Sequence, residues 1–161
     1  MNYLSSGIEK NKLRLIVFQT SKCLKSTNNH MCVVNSDGPG IYRYSIDCKE
    51  RLCCVYVEGH IDYQVVISLI KAVTKHPDFT PQMCILLDLT KMYFHPTYPE
   101  LMKIRDQLKL LKDHFQSKIA VCVPYNLYDL VLMMSMFCKK FGLNMRPFRN
   151  REDMQDWLTE T

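Results

Sequence analysis

Along the chain the apolar positions change their period several times, and each change predicts an element. From residue 41, IYRYSID alternates apolar and polar residues and runs into Asp47-Cys48-Lys49-Glu50, a turn; RLCCVYVEG follows as a second strand, so the pair predicts a hairpin. Val65, Val66, Leu69, Ile70 and Val73 then recur at helical spacing behind the cap residue Asp62, until Pro77 stops the run. CILLDL is a short apolar strand. Beyond it Leu101, Ile104, Leu108, Leu111 and Phe115 make one helical stripe, with Lys103, Arg105, Asp106 and Lys109 outside it. IAVCVP reads as another buried strand. Asn126 is placed to cap the next helix, which carries Leu127, Leu130, Val131, Met134, Phe137 and Cys138 on a wide apolar surface and closes at Phe141-Gly142. LNMRPF is the last strand, with Pro147 indicating an edge position or a strand end, and Asn150 caps a short helix bearing Met154, Trp157 and Leu158.

The order is β-β-α-β-α-β-α-β-α. Strand–helix units of this length require right-handed crossovers, so the predicted class is α/β: an N-terminal β-hairpin leading into a mostly parallel sheet covered by helices. The first forty residues differ, because SSG, STNN and SDGPG break them into polar, turn-forming pieces. Met31 precedes a length that suits a complete domain. Residues 1–38 are therefore expected to be a loosely ordered extension, as an over-long gene start would supply, and 39–161 the domain. Removing the extension is expected to leave stability nearly unchanged.

Composition narrows the function classes. A chain of 161 residues, 47% hydrophobic and 23% charged, suits one soluble domain. No apolar run approaches the roughly 20 residues of a membrane helix, and LRLIVF is followed by no cleavage-type sequence, so membrane insertion is not expected and a cytoplasmic location is. The formal charge of +5 divides as +3 over residues 1–40 and +2 over the remainder. The domain is thus close to neutral and lacks the basic footprint of a nucleic-acid binder. Eight cysteines include no C-x-x-C pair and no histidine at ligand spacing. Cys84 and Cys122 lie in apolar runs, Cys53 and Cys54 point to opposite faces of a strand, and reduced thiols are expected throughout, with no metal and no cofactor.

Three local cues sharpen the fold. They are the D-x-T of LLDLT after the third strand, the phenylalanine-containing turn of PDFTPQMCILLDLT before it, and the acidic-aromatic last helix of RNREDMQDWL. With the order of elements, residues 41–158 resemble the STAS-like family related to bacterial anti-sigma-factor antagonists. The resemblance implies a small α/β domain used in protein–protein regulation, not an enzyme. In the regulated antagonists a phosphoacceptor serine opens the helix after the third strand within a D-S-S-G type motif. Here that stretch reads His95-Pro96-Thr97-Tyr98-Pro99, so only Thr97 stands in for that hydroxyl, without the glycine or the preceding aspartate.

Thr97 also has a structural reading. Thr97-Tyr98-Pro99-Glu100 is a T-x-x-E capping box, and Pro99 removes an N–H that the first turn leaves unpaired. Ligands of open parallel sheets settle beyond the carboxyl ends of strands, which here collects Gly59-His60, the loop from Lys91 to Thr97, Pro124 to Asn126, and Arg149-Asn150. The candidate binding rim is accordingly His95, Thr97, Tyr98, Tyr125, Asn126 and Arg149, with Tyr93, Phe94 and Tyr128 as further aromatic lining. No nucleophile–base–orienter set is legible around His95 or the other histidines, and Asp88 is expected to bond a nearby backbone N–H.

The expected function is a non-catalytic interaction domain that binds a protein partner through its helical face or its strand-end rim. A homodimer is an admissible assembly. The rival expectation is a carrier or sensor of a small apolar or lipid-like ligand between helices and sheet. An apolar cavity of about 300 Å³ or more opening near Tyr98 and Tyr125 would mark the rival, and a closed interior the first.

Overall fold

The structure, a computed structural model, describes residues 31–35 and 40–160. Six strands form one sheet in the order β1-β2-β3-β4-β5-β6: β1 Met31–Asn35, β2 Gly40–Asp47, β3 Leu52–His60, β4 Cys84–Tyr93, β5 Lys118–Cys122 and β6 Asn144–Phe148. The first three pair antiparallel and the last four in parallel. Four helices follow the strands, α1 Tyr63–Lys75, α2 Tyr98–Leu110, α3 Tyr128–Lys139 and α4 Arg151–Thr159.

This is the expected α/β order with one strand added. β1 lies inside residues 1–38, which the sequence assigns to the extension, and pairs with β2 from Met31 opposite Ser45 to Asn35 opposite Ile41. MCVVN is too short to show a period by itself, and only the pairing with β2 makes it a strand. The rest of the expected extension lies outside the described residues. β6 is an edge strand, the first of the two positions that Pro147 suits. The Phe148 carbonyl accepts from Val123 N on the β5 side, so Pro147, one residue back, turns its missing N–H to the open edge.

Alternation along the strands builds two unequal cores. Tyr42, Tyr44, Cys53, Val55, Ile85, Ile119 and Val121 face α1, α2 and α3. Leu52, Cys54, Leu86, Ala120, Cys122 and Phe148 face the other way, where Met154 and Trp157 of α4 pack on them. Cys53 and Cys54 thus take opposite faces, as the strand period requires. Burial pushes the Cys53 thiol up to about 12 and those of Cys122 and Cys138 to about 11, so all three stay protonated. Cys48, Cys53, Cys84, Cys122 and Cys138 carry free thiols.

Helix ends follow the chain chemistry. Asp62 accepts from Val65 N at 2.9 Å and Asn150 from Asp153 N at 2.9 Å, so both act as the caps they resemble. α3 closes in a Schellman turn on Gly142, whose φ is 93°, with Leu143 N bonded to Cys138 O and Gly142 N to Lys139 O. Asn126 is not the α3 cap, contrary to expectation. Pro124 instead opens a 3-10 turn over Tyr125–Leu127, which carries Asn126 in its middle, and the α-helix begins at Tyr128. Leu111 and Phe115 likewise fall beyond α2, though Phe115 is still buried.

Candidate functional site

The strand-end rim is assembled from the parallel half of the sheet. β5 and β6 are paired in register to their last residues, Cys122 opposite Phe148, so the chain leaves both strands at one level. Tyr125 and Tyr128 rise from the β5 exit and Arg149 from the β6 exit. The Arg149 guanidinium lies over both rings, 4.8 Å from the Tyr125 centroid and 4.4 Å from that of Tyr128. Contact with the ring faces holds the cation by its quadrupole attraction. No carboxylate among the described residues is within ion-pair distance of Arg149, so its N–H edge remains available to a carboxylate from outside.

The other rim residues do not join that cluster. Lys91 to Tyr93, expected in a loop, continue β4, because beyond an irregularity at Tyr56 to Glu58 the strand pairs again with β3 up to His60 opposite Tyr93. The loop is only Phe94 to Thr97. Tyr93 is exposed with its ring 5.3 Å from that of His60, Tyr98 is exposed, and His95 and Asn126 are exposed with no side-chain bond to a described residue.

At Thr97 the capping box forms with an inverted emphasis. The Glu100 carboxylate accepts from Thr97 N at 2.7 Å and from Thr97 Oγ1 at 2.8 Å. The hydroxyl also faces the Glu100 backbone N–H in the box arrangement, but without the geometry of a full cap hydrogen bond. The backbone N–H of Thr97, then its hydroxyl, hold the Glu100 carboxyl below its usual range. A phosphoryl group on Thr97 would therefore stand against an ionised carboxylate.

Asp88 sits where β4 meets the irregularity. Its Oδ1 accepts from Thr90 N at 3.0 Å and from Thr90 Oγ1 at 2.6 Å, so the D-x-T is a local turn bond that shapes the bulged strand. Its Oδ2 takes the Arg151 guanidinium from the first turn of α4. The sequence shows the Thr90 half of this arrangement, since the partners are two residues apart. It does not show the Arg151 half, 63 residues away. Asp88 is almost fully buried and Arg151 half exposed, an arrangement that anchors a helix.

Beside the rim, a groove of about 560 Å³ runs between β6 and α4, with Arg146 and Arg149 on one side and Asp153 and Asp156 on the other. The space between the sheet and α1 to α3 is only about 160 Å³, wholly apolar, and neither Tyr98 nor Tyr125 lines it. That holds a benzene-sized body and is about half the volume at which pockets for drug-sized ligands begin. Among the described residues no three His, Cys, Asp or Glu side chains gather as a metal would require. No helix among them is long and apolar enough to cross a membrane.

No family profile and no curated protein matches the chain. Among solved structures it is similar to an uncharacterized protein of the DUF3478 family with a SpoIIAA-like fold from Shewanella loihica PV-4, at 13% identity, covering 83% of this chain and 98% of that one with a TM-score of 0.46. From β2 to α4 the structure has the element order and the mostly parallel, helix-covered sheet expected from the sequence.

Proposed function

We propose that this protein is a non-catalytic STAS-like interaction domain that binds a protein partner at the rim formed by Tyr125, Tyr128 and Arg149 and the adjoining groove. The observation that carries the reading is the monotonic strand order. Ligand crevices in open α/β sheets arise where the order reverses and successive crossover helices diverge to opposite faces. Here β3, β4, β5 and β6 follow in sequence and α1, α2 and α3 all cover one face, so no crevice opens between those three helices. Only at β6, where α4 turns to the other face, does the rim adjoin a groove, and elsewhere the strand ends present a surface. Tyrosine and arginine are the side chains on which protein interfaces concentrate binding energy, and a rigid Arg149 fork suits an acidic side chain of the partner.

The test is native mass spectrometry of the protein purified from its own host, wild type beside Arg149→Glu. The expected result is a co-purifying protein that the variant loses while remaining folded. A wild-type protein that instead retains a small apolar molecule would overturn the reading in favour of the carrier.

A further inference from the structure

The outer faces of the helices are not alike. On α1 the exposed stripe reads Gln64, Ser68, Lys71 and Lys75, an ordinary solvated face. On α3 the stripe at the same kind of spacing reads Asp129, Leu132, Met136 and Lys139, all exposed, with Leu132 at 40% and Met136 at 64%. Met134 and Cys138 of this helix are buried against the sheet, so α3 is apolar on two opposite sides. A helix apolar all round belongs between two packed layers, yet the described residues supply only one.

The order of charges along that stripe selects the second layer. Asp129 and Lys139 stand equally far on either side of position 134, and Leu132 and Met136 stand equally far inside them. The stripe is about 15 Å long, at 1.5 Å per residue. A two-fold axis at the level of residue 134 turns this pattern onto itself: Leu132 meets Met136 of the second copy at the centre, and Asp129 comes to the same level as Lys139 of the second copy at both ends. Lys140, beside Lys139, adds to the positive end. An unrelated partner would have to match an apolar centre and two charges of opposite sign. A second copy of the chain does so by symmetry alone, as isologous interfaces do.

We infer that α3 pairs antiparallel with α3 of a second copy of this chain, making a homodimer through Leu132 and Met136 bounded by Asp129–Lys139 contacts. This surface is separate from the Arg149 rim and does not depend on its function. One helix pair buries a small area, so the association is weak, with a Kd on the order of 10 μM.

Sedimentation equilibrium from the micromolar to the near-millimolar range tests it on the full chain, with thermal unfolding confirming that each variant is folded. Wild type is expected to be a monomer–dimer mixture, and Met136→Glu a monomer. Asp129→Lys and Lys139→Glu each put like charges at both ends and should weaken self-association about tenfold or more. Mixed in equal amounts, those two variants restore opposite charges at both ends and should form the heterodimer that neither forms alone. A wild type that stays monomeric throughout the range would overturn the inference, and so would a dimer indifferent to Met136→Glu. Failure of the mixed variants to pair, with each folded, would overturn the antiparallel arrangement. Arg149→Glu should leave all of this unchanged, so loss at the rim and loss of the dimer read separately.

Discussion

The two faces of the sheet are closed by different means. Three helices cover one face with a broad apolar layer in which residues such as Leu69, Leu101 and Ile104 are buried and no specific polar bond is needed. One nine-residue helix, α4, serves the other face and is fastened at both ends. At its start Arg151 grips the buried Asp88 of β4. At its finish Lys118 of β5 donates to the Trp157 carbonyl at 2.8 Å and to that of Glu160, and its ammonium lies 5.3 Å from the Trp157 ring centroid. A long amphipathic helix with two neighbours is held by area. A short one with little area depends on a few placed charges, here Asp88 in the middle of β4 at its start and Lys118 at the unpaired carbonyls of its last turn.

The comparison breaks most strongly in the large core. Leu69→Ala on α1, at a buried position, should cost about 3 kcal/mol and lower the whole unfolding transition in urea. The next effect belongs to the clasp. Arg151→Ala leaves the Asp88 carboxylate buried without its cation and should cost about 2 kcal/mol, below the usual figure for a broken buried pair because Arg151 is half exposed. Asp88→Asn keeps the Thr90 contacts and removes the charge, so it should cost less than Arg151→Ala. A result with the two reversed would contradict the clasp. Hydrogen exchange should locate the Arg151→Ala loss in α4 and spare α1.

At the other end of the same helix, Lys118→Met keeps the apolar stem and removes the cation from the last carbonyls. It should cost about 1 kcal/mol and fray the final turn of α4. Uniform exchange across the sheet instead would mean that Lys118 supports β5 and not the helix.

The smallest effects are expected at Thr97, on the surface of the large-core side. Thr97→Ala should cost about 0.5 kcal/mol, the low end for a cap, since the full cap bond is missing. Thr97→Ser should restore it, whereas Thr97→Asp should not, because the native hydroxyl donates to Glu100 and an aspartate there would repel it. The Glu100 carboxyl is held below its usual range, so its contribution is present above the unfolded-chain value of about 4.3 and is lost as pH falls through the lower folded value. The gap between wild type and Glu100→Gln should therefore close on acidification through that window. Intact mass showing a stoichiometric phosphoryl group at Thr97 would replace capping with a switch.

Local chemistry explains what was legible in advance. Asp62 and Asn150 cap helices because each acceptor is three residues from its N–H, and Gly142 closes α3 because the positive φ lies in one turn. The opposite faces of Cys53 and Cys54, the edge position of Pro147 and the Thr90 bond of Asp88 rest on spacings of one to a few residues in the same way. Of the rim, the sequence placed Tyr125, Tyr128 and Arg149 at strand exits, but their contact depends on β5 and β6 being neighbours in register.

By itself the sequence determined the element order from β2 onward, the caps Asp62 and Asn150 and most of each helix's apolar stripe, since period and capping act within a turn or a strand. Three things were decided only in the tertiary structure. MCVVN becomes a strand because β2 offers it an edge. Asp88 holds Arg151 because β5 and β6 end at the level of Asp88, midway along β4, which brings the β6–α4 junction to it. Leu132 and Met136 are left outside because the other side of α3 has already met the sheet. Each joins residues far apart in the chain, and such a contact is set by which elements become neighbours rather than by any local propensity.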